Sequence, residues 1–356
     1  MKLLSIIIPT YNMEAYLAQC VESILRTPSL AAVEVVIVND GSSDRSLRIA
    51  KHYAERYMQT VRVIDKPNGN YGSTINAALP VVQGEYVKIL DADDTFDGSR
   101  IAEFVAELQR ARGVDMVVTP YIECYKRKSY QVSYNIYSRK VYEVGKVYDI
   151  EQIFEDGAIR FFMMHSVCYR TDMLRRINYR QSEGISYTDQ EWVFYPLFRV
   201  RDILFLDIPL YRYNAAREGQ TMDVAVQLRS LNHLRIVTES MAQHFVAASR
   251  RLKSSARRDF LRNVVADRMK VLYRRYLLTM GNEQFLSSDF SAVDLLLTTT
   301  ACRCKITDLE VPVNNMLKVD LLAYWRKHRR RYSPTILWLL RSADRLMTVV
   351  HRAIFR

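Results

Sequence analysis

The chain has no long hydrophobic run. Its 356 residues contain no apolar stretch close to the roughly 20 residues that a helix needs to cross a bilayer. The brief apolar run at the start ends in Pro-Thr-Tyr-Asn rather than in small residues, so we expect a first strand and not a signal peptide. Internal repeats and low-complexity linkers are missing too. This length and composition predict one main globular domain with an appended region.

Cysteine is scarce, and its spacing does not suggest a metal site. The chain has five cysteines, an odd number, and only Cys302 and Cys304 lie close together. A structural zinc site normally needs two such pairs with two to four residues between the members of each. The sequence therefore predicts no zinc, and reduced thiols in a cytoplasmic protein fit best.

Negative charge is scarce in two C-terminal stretches. Residues 250–275 carry ten Lys and Arg against two Asp, and residues 326–356 carry nine against one Asp. The first 249 residues are close to neutral, although the whole chain has a net charge of +12. A basic surface implies an anionic partner, which here is phospholipid, nucleic acid or a phosphate-bearing substrate.

Strand-like apolar runs alternate with helical patterns through the first 120 residues. Such alternation predicts an α/β fold with a mostly parallel sheet and helices on both faces. We expect strands at 4–8, 33–38, 61–64, 86–90 and 116–119, with helices near 13–26, 44–58, 73–82 and 99–111. Tyrosine-rich residues 120–150 predict an antiparallel ribbon, and the pattern is helical from about residue 225 onward.

Acidic side chains follow one of these buried strands directly. The sequence Gly-Glu-Tyr-Val-Lys-Ile-Leu at 84–90 runs into Asp91, Asp93 and Asp94. Carboxylates this close repel one another unless a cation or hydrogen-bond donors lie between them. A hard divalent cation with oxygen ligands meets that need and also neutralises a diphosphate.

Three polar segments are expected to meet at one edge of the sheet. Residues 9–12, 39–42 and 91–94 each follow a predicted strand. In parallel α/β sheets, ligands bind outside the carboxyl ends of the strands. The sequence therefore predicts a binding site at this edge.

Four motifs in this half of the chain resemble the family 2 glycosyltransferases. They are SIIIPTYN, VVIVNDGSSD, GEYVKILDADD and TDQEW, and the resemblance covers about residues 1–215. It implies the GT-A fold, a nucleotide-sugar donor, Mn²⁺ or Mg²⁺, and inversion at the anomeric carbon. The stretches KPNGNYGSTIN, MHS and YRYNAAREGQTM look like a bacterial subgroup, which commonly builds surface polysaccharides.

The resemblance implies a uridine site on the first two strands. Asp40 would accept from the uracil N3–H, and Tyr11 would stack on the base while Pro9 and Thr10 shape the turn. An alternative for Asp40 is a turn or an N-cap for the helix that begins near Asp44.

The same resemblance implies the residues that contact the metal and the diphosphate. Asp91, next to Ala92, would contact the ribose or the metal, and Asp93 would coordinate the metal. Asp94 would either coordinate the metal or orient the turn. His165 is a further candidate metal or phosphate ligand, although a single histidine is also often structural.

A glycine-containing segment before the third helix is a candidate phosphate contact. Asn70 and Gly72 lie where the backbone approaches closely, and Ser73 is a candidate helix cap beneath an anion. Many relatives carry an Arg one position before Asn76, whereas this chain has Ile75. We therefore expect no basic side chain on the phosphates from this helix.

Asp189 in TDQEW resembles the catalytic base of the family. Thr188 stands where relatives have another acid, and Glu191 would orient or assist. The alternative for both acids is the first turn of a helix, where negative charge suits the helix dipole. Arg217, with Gln220, lies in a loop that is a candidate to close over the diphosphate.

The C-terminal segment has the pattern of a basic amphipathic helix. Ser333 and Pro334 predict its N-cap and first position, and apolar residues recur every three or four positions after them. Such a helix either lies on an anionic membrane surface through 326–356 or packs on the rest of the protein.

These observations together predict a two-part protein. Residues 1–222 form the GT-A domain, with a donor half at 1–119 and an acceptor half at 120–222, and residues 223–356 form a basic helical region. We expect a non-processive, metal-dependent, inverting hexosyl- or N-acetylhexosaminyltransferase that uses a UDP-sugar and a saccharide or polyprenyl-linked acceptor. It would be cytoplasmic, at the inner face of the cell membrane, without a nucleic-acid partner.

Two alternatives stay open at this point. A nucleotidyltransferase of similar fold would want a glycine-rich basic loop after the first strand, and residues 11–14 are not one. A nucleic-acid- or lipid-binding protein would use the basic helices, but this leaves the acidic edge unexplained, and a near-neutral domain is a poor phosphate binder.

Overall fold

The chain folds into two compact units. The computed structural model describes residues 2–134, 140–215, 230–280, 287–307, 309–313 and 319–340, together with positions 226, 342, 343 and 346. The units are Met1–Arg217 and Glu218–Arg356. The boundary predicted after residue 222 lies outside the described residues, and so does Arg217.

The first unit is built on an eight-stranded sheet. The strands are β1 Leu4–Thr10, β2 Val33–Asp40, β3 Val61–Lys66, β4 Tyr86–Ile89, β6 Met116–Val118, β9 Val147–Asp149, β10 Val167–Arg170 and β11 Asp202–Phe205. Their order in the sheet is β3-β2-β1-β4-β10-β6-β11-β9. β1 to β4 run parallel, β10 lies antiparallel between β4 and β6, and β11 runs parallel to β6 with β9 antiparallel at the edge. The predicted mostly parallel sheet is confirmed.

The central strands β1 and β2 are buried along their whole length and are mostly apolar. Every residue of β1 and β2 is buried, and Ile6, Ile7 and Ile8 are fully inaccessible. Burial of this kind is typical of parallel sheets, in which crossover connections place helices on each side. The alternation of apolar strands and helical segments along the sequence therefore predicts a sheet with helices on both faces.

The helices of the first unit connect these strands. α4 shows why they form: Ile101, Phe104, Val105 and Leu108 recur at helical spacing and are all buried. Asp97 caps its first turn by accepting from the Ser99 N–H at 3.1 Å. The helices are α1 Leu17–Leu25, α2 Ser46–Arg56, α3 Asn70–Ala78, α4 Gly98–Arg110, α5 Ile150–Asp156, α6 Thr171–Arg176 and α7 Asp189–Phe194.

A second, smaller sheet lies beside the acidic edge. Its order is β5-β12-β7-β8, with β5 Thr95–Phe96, β7 Tyr121–Cys124, β8 Ser129–Val132 and β12 Tyr211–Asn214. β7 and β8 pair antiparallel, as the tyrosine-rich pattern predicts. β12 pairs with β5 and β7, so it joins residues that follow the acidic motif to a strand more than a hundred positions later.

The second unit is helical, as predicted. Its helices are Leu231–Ser249, Ser255–Arg274, Ser287–Arg303 and Leu321–His328, with a π-helical turn at Arg275–Thr279. Phe290 and Trp325 pack edge to face with ring centroids 4.6 Å apart in its core. Residues 334–340 are helical, and the Ile336 N–H donates to Ser333 Oγ at 3.4 Å, so Ser333 caps this helix. Among the described residues, no helix has the length and apolarity needed to span a membrane.

Asp115 ties together the end of the large sheet that lies away from the acidic edge. Its side chain is 1% exposed, and it pairs with Arg170 on β10 and with Arg201 before β11. One carboxylate oxygen also accepts from the Arg201 backbone N–H at 3.1 Å. Asp115 therefore connects the starts of β6 and β11 to the end of β10, the antiparallel neighbour of β6.

Asp115→Ala should destabilise the first unit by about 3–5 kcal/mol, because it leaves the half-buried Arg170 guanidinium without its partner. Urea unfolding, followed by circular dichroism, measures the change. Glu55→Ala is the control: Glu55 is an exposed residue of α2, and the substitution should change stability by less than about 0.5 kcal/mol. Equal stabilities of the two variants would contradict this role of Asp115.

Candidate active site

Asp91 lies at the carboxyl end of β4 and is held by two tyrosines. The Tyr71 hydroxyl donates to Asp91 Oδ1 at 2.9 Å, and the Asp91 N–H donates to the Tyr211 oxygen at 3.2 Å. Burial, followed by the charges of Asp94 and Asp93, raises the pKa of Asp91 well above its usual range. This carboxyl group is therefore in an environment that favours a cation or a proton beside it.

Asp94 is clamped by β12 of the smaller sheet. Its Oδ2 accepts from the Tyr211 hydroxyl at 2.6 Å, and its Oδ1 accepts from the Asn214 backbone N–H at 2.7 Å. Asp94 is 2% exposed, so these donors replace the water that a free carboxylate would bind. Neither donor has a local signature in the sequence.

His165 lies in the short 3-10 turn Met164–Ser166, facing the acids. Its ring packs against the rings of Tyr121, Tyr211 and Tyr213, with centroids 5.0, 4.7 and 4.8 Å away. Burial, and next the charge of Lys88, lowers the pKa of His165 to about 3, so the ring is neutral at physiological pH. Its buried Nδ1 has no hydrogen-bond partner among the described residues.

Asp91, Asp94 and His165 form a candidate metal centre. One ligand atom from each lies within 4.8 Å of the others. Two carboxylates and a neutral imidazole suit a divalent cation, and the unpartnered buried nitrogen of His165 fits the same interpretation. Asp93 is not part of this group, but its charge raises the pKa of Asp91, so it lies close by.

Asp40 lies at the end of β2 in a small polar network. Its Oδ1 accepts from Lys66 Nζ at 2.6 Å, from the Gly69 N–H at 2.9 Å and from Ser73 Oγ at 3.3 Å. The N-cap alternative for Asp40 is wrong, because α2 begins at Ser46 with Arg45 in the N-cap position. The Ser46 N–H donates to Asp44 Oδ1 at 2.9 Å. Contact with a uracil base remains a prediction.

The predicted base-stacking residues surround the end of β1. Tyr11 is 50% exposed, which leaves its ring accessible. Pro9 and Thr10 are buried, and the Thr10 hydroxyl donates to the Ile8 carbonyl at 3.1 Å. Ala92, within the acidic motif, is 1% exposed and packs inward. Pro9 and Thr10 are the last two residues of β1, and their role in shaping the turn that follows remains a prediction.

α3 begins earlier than the sequence suggests, and this changes two interpretations. Asn70, with a φ of 63°, is its first residue, so Ser73 is not the N-cap. The Ser73 hydroxyl instead donates to the Asn70 carbonyl at 2.7 Å. A Cβ on Gly72 would lie 2.1 Å from the Ser182 carbonyl oxygen, so the close backbone approach at Gly72 is to protein. Donor contacts by Asn70 and Gly72 remain predictions.

Asp189 and Glu191 share α7 but have different surroundings. Asp189 is the first residue of the helix, and its Oδ2 accepts from Gln190 Nε2 at 2.8 Å. Its charge raises the pKa values of Tyr71 and Asp91, after burial and nearer charges, so Asp189 lies on the same side of the sheet as the acids. The structure therefore brings the predicted base and the predicted metal ligands into one site.

Glu191 is fully buried and satisfied by three donors. It accepts from the Ser182 N–H at 2.6 Å, the Ser182 hydroxyl at 2.7 Å and the Tyr195 hydroxyl at 2.9 Å. Burial raises its pKa, although these donors oppose the shift. Glu191 therefore supports the backbone at Ser182, which in turn packs against Gly72, and the geometry favours orientation of the loop over direct assistance.

Comparison with known proteins agrees with this arrangement. Residues 5–177 match the family described as Glycosyl transferase family 2. EpsJ of Bacillus subtilis (strain 168), an uncharacterized glycosyltransferase, is 30% identical over 216 residues, which is 59% of this chain. The match spans 60% of the length of EpsJ. A shorter match, 38% over 91 residues, joins 25% of this chain to 10% of the B. subtilis minor teichoic acid biosynthesis protein GgaB.

Solved structures show the same architecture over most of the chain. S. aureus TarS 1-349 in complex with UDP-GlcNAc superimposes with a TM-score of 0.64 at 20% identity, covering 92% of this chain and 88% of that one. At this identity the likeness establishes the fold, a GT-A α/β domain followed by a helical region. Residues 5–177 of this chain therefore match glycosyl transferase family 2, and the fold of the chain agrees with that match.

Proposed function

We propose that the protein is a non-processive, metal-dependent, inverting glycosyltransferase that moves a hexosyl or N-acetylhexosaminyl group from a UDP-sugar to a saccharide or lipid-linked acceptor. One observation carries the proposal. The potential metal ligands Asp91, Asp94 and His165 and the carboxylate of Asp189 occur together at the carboxyl ends of the strands in a family 2 domain.

A uridine nucleotide is the proposed donor on the basis of two residues at the ends of β1 and β2. The exposed ring of Tyr11 can stack on a base, and Asp40 lies beside it at the end of the adjacent strand. A structural relative of the same fold, TarS, binds UDP-GlcNAc. Lys66 is already paired with Asp40, so its positive charge is fixed at this side of the site.

Asp91, Asp93, Asp94 and His165 are the residues proposed to hold a Mn²⁺ or Mg²⁺ ion. Such an ion acts as a Lewis acid that neutralises the charge developing on a departing diphosphate. The protein contributes the arrangement: Tyr71 and Tyr211 orient the two carboxylates, and the tyrosine-lined pocket keeps His165 neutral and so able to donate its lone pair.

Asp189 is proposed to take the proton from the acceptor hydroxyl. An inverting transfer requires one base on the face of the sugar opposite the leaving group, and a carboxylate outside the metal ligands fits that need. Glu191 and Ser182 hold the segment before the helix, so the position of Asp189 is set from both sides.

A surface polymer is the proposed destination of the sugar. Similar proteins include GgaB, a teichoic acid biosynthesis protein, and the chondroitin synthase of Escherichia coli, which is 26% identical over 245 residues. Both names describe extended carbohydrate or phosphate-containing polymers. A saccharide end, free or lipid-linked, is therefore the acceptor class to test first.

Release of UDP from a panel of UDP-sugars, with and without Mn²⁺, is the direct test of this function. We expect release to need the metal and to be lost in Asp93→Ala, because removal of one carboxylate from a crowded ligand set weakens cation binding. His165→Ala should raise the Mn²⁺ concentration that gives half-maximal rate. GDP- and ADP-sugars serve as donor controls. Full turnover in excess chelator would contradict the metal role.

Asp189→Asn should keep donor binding and lose transfer by about 100- to 10,000-fold, which is the usual cost of removing a general base. Calorimetry with UDP measures the first property, and product formation measures the second. Asp172→Asn, an exposed acid on α6, is the matched control and should behave like the unchanged protein. Near-normal transfer by Asp189→Asn would assign the base to another residue.

The C-terminal helix has a specific feature that supports contact with an anionic membrane. Trp338, Leu339 and Leu346 are 64%, 54% and 64% exposed, whereas Leu337 is buried. Large apolar side chains this exposed are uncommon on a soluble surface unless they contact something. Residues 326–356 also carry nine basic residues against one acid. We propose that this segment holds the enzyme at the cytoplasmic leaflet.

Vesicles that contain anionic lipid should bind the protein and release it at high salt, because each basic residue near such a surface contributes about 1 kcal/mol. Trp338→Ser combined with Leu339→Ser should weaken binding at least about tenfold, since burial of each side chain is worth about 1.5–3 kcal/mol. Met58→Ser, at an 80% exposed residue of the first unit, is the control. Cosedimentation measures all three proteins. Unchanged binding by the double variant would contradict the proposal.

A further inference from the structure

Lys88 is a fully buried cation directly behind the candidate metal centre. It lies in β4 between Val87 and Ile89, and all three residues are 0% exposed. Its ammonium donates to the His165 carbonyl at 2.7 Å and to the Val167 carbonyl at 3.1 Å. Neither partner carries a formal charge. Burial lowers the pKa of Lys88 to about 8.

Among the described residues, the hydrogen-bond partners of this buried ammonium are two carbonyl groups, and such an arrangement is energetically costly in a protein core. The free energy needed to transfer a charged group from water into the protein interior exceeds the free energy gained from hydrogen bonds to two neutral acceptors. An apolar side chain of similar length would fill the same space without that cost. The presence of lysine therefore calls for an explanation other than packing.

The ammonium holds the turn that carries His165. This turn, Met164–Ser166, has no side-chain cap hydrogen bond, and its His165 carbonyl accepts from Lys88 on β4. The same turn places Met164 Sδ 3.0 Å from the Tyr71 hydroxyl, which donates to Asp91. A shift of the turn would therefore displace both a ligand and the tyrosine that orients another ligand.

Lys88 also lies close to the support of the third ligand. Its Nζ is 5.9 Å from the centroid of the Tyr211 ring, within the range of a cation–π contact. The hydroxyl of the same ring donates to Asp94. Lys88 is thus next to the turn that carries His165 and next to the tyrosine that binds Asp94. Through Met164 of the same turn it is also linked to the tyrosine that binds Asp91.

We propose that Lys88 is a positioning residue whose ammonium fixes the Met164–Ser166 turn and thereby sets the His165 ring against Asp91 and Asp94. The part of this inference that concerns metal affinity rests on the proposed function. The part that concerns the turn does not, because it depends only on the hydrogen bonds of Lys88 to the backbone.

The test compares Lys88→Met, His165→Ala and the double variant by calorimetric titration with Mn²⁺ in the presence of UDP. Residues that orient metal ligands typically contribute 10- to 100-fold in affinity. We expect Lys88→Met to weaken Mn²⁺ binding by about that factor, and we expect the same substitution to have no further effect when His165 is already alanine. This non-additivity separates action through His165 from a general loss of stability.

Ile89→Val in the same strand is the matched control. It removes one buried methyl group next to Lys88, lowers the melting temperature modestly and should leave Mn²⁺ affinity unchanged. If Lys88→Met does not fold, Lys88→Gln replaces it, because the amide keeps N–H donors without the charge and falls one atom short of the carbonyl groups. We expect Lys88→Gln to weaken Mn²⁺ binding as well. Wild-type affinity in the Lys88 variant would overturn the proposal.

Hydrogen exchange decides the inference independently of any metal. The Ser166 N–H donates to the Met163 carbonyl, and the Thr119 N–H donates to the Ser166 carbonyl. Lys88→Met should speed exchange at these two amides while the amides of β1 and β2 keep their protection. Unchanged exchange at Ser166 and Thr119 would show that the turn does not depend on Lys88, whatever the wild-type protein does with Mn²⁺. Absence of Mn²⁺ binding by the unchanged protein would instead count against the proposed function.

Discussion

The crowding of carboxylates at the end of β4 is the constraint on which the site depends. Asp91 and Asp94 are drawn out of water by the strand that precedes them, and each then needs donors. Tyr71 and Tyr211 supply hydroxyl groups to them. Burial, and then the charges of these acids, raises the pKa values of both tyrosines well above the usual range, so both hydroxyls stay protonated and remain donors. The acids therefore keep the tyrosine hydroxyls protonated, and the hydroxyls donate hydrogen bonds that hold the acids in place.

This constraint links distant parts of the chain. Asp94 Oδ2 and Tyr211 are separated by 117 positions, and the bond between them forms only when β12 pairs with β5 and β7. The smaller sheet thus has a direct chemical purpose, since it delivers the Tyr211 hydroxyl and the Asn214 N–H to one carboxylate. A hydrogen-bonded pair at such separation is a non-local contact, so assembly of the site depends on the pairing of β12 with β5 and β7.

The sequence was sufficient to predict the sheet and the edge of the sheet at which the candidate site lies. Buried apolar strands followed by polar turns specify a parallel sheet, and the carboxyl ends of parallel strands must meet at one edge. The sequence was not sufficient for the contacts across that edge. Tyr71, Lys88, Tyr211 and Asn214 have no local signature, because each acts on a residue more than a dozen positions away and an alternating strand pattern cannot say which strand will be its neighbour. Ser73 was assigned a cap wrongly for a related reason: Asn70 adopts a positive φ, and the helix starts one turn earlier than its residue types suggest.

Two acids on one helical turn illustrate how surroundings divide chemical roles. Glu191 is inaccessible to solvent and accepts hydrogen bonds from three donors, two of them on Ser182. Its carboxylate therefore stabilises the loop at Ser182. Ser182 in turn lies against Gly72, where even a methyl group would collide with its carbonyl. The loop before α7 is therefore held by the Glu191 carboxylate, which binds Ser182. The same loop can lie against α3 because Gly72 has no side chain. Asp189, at the start of the same helix, is partly buried and accepts from Gln190 Nε2. A carboxylate that is held in position but only partly buried can exchange a proton with a bound hydroxyl group. Glu191, two positions later, cannot do so without breaking the hydrogen bonds that hold the loop.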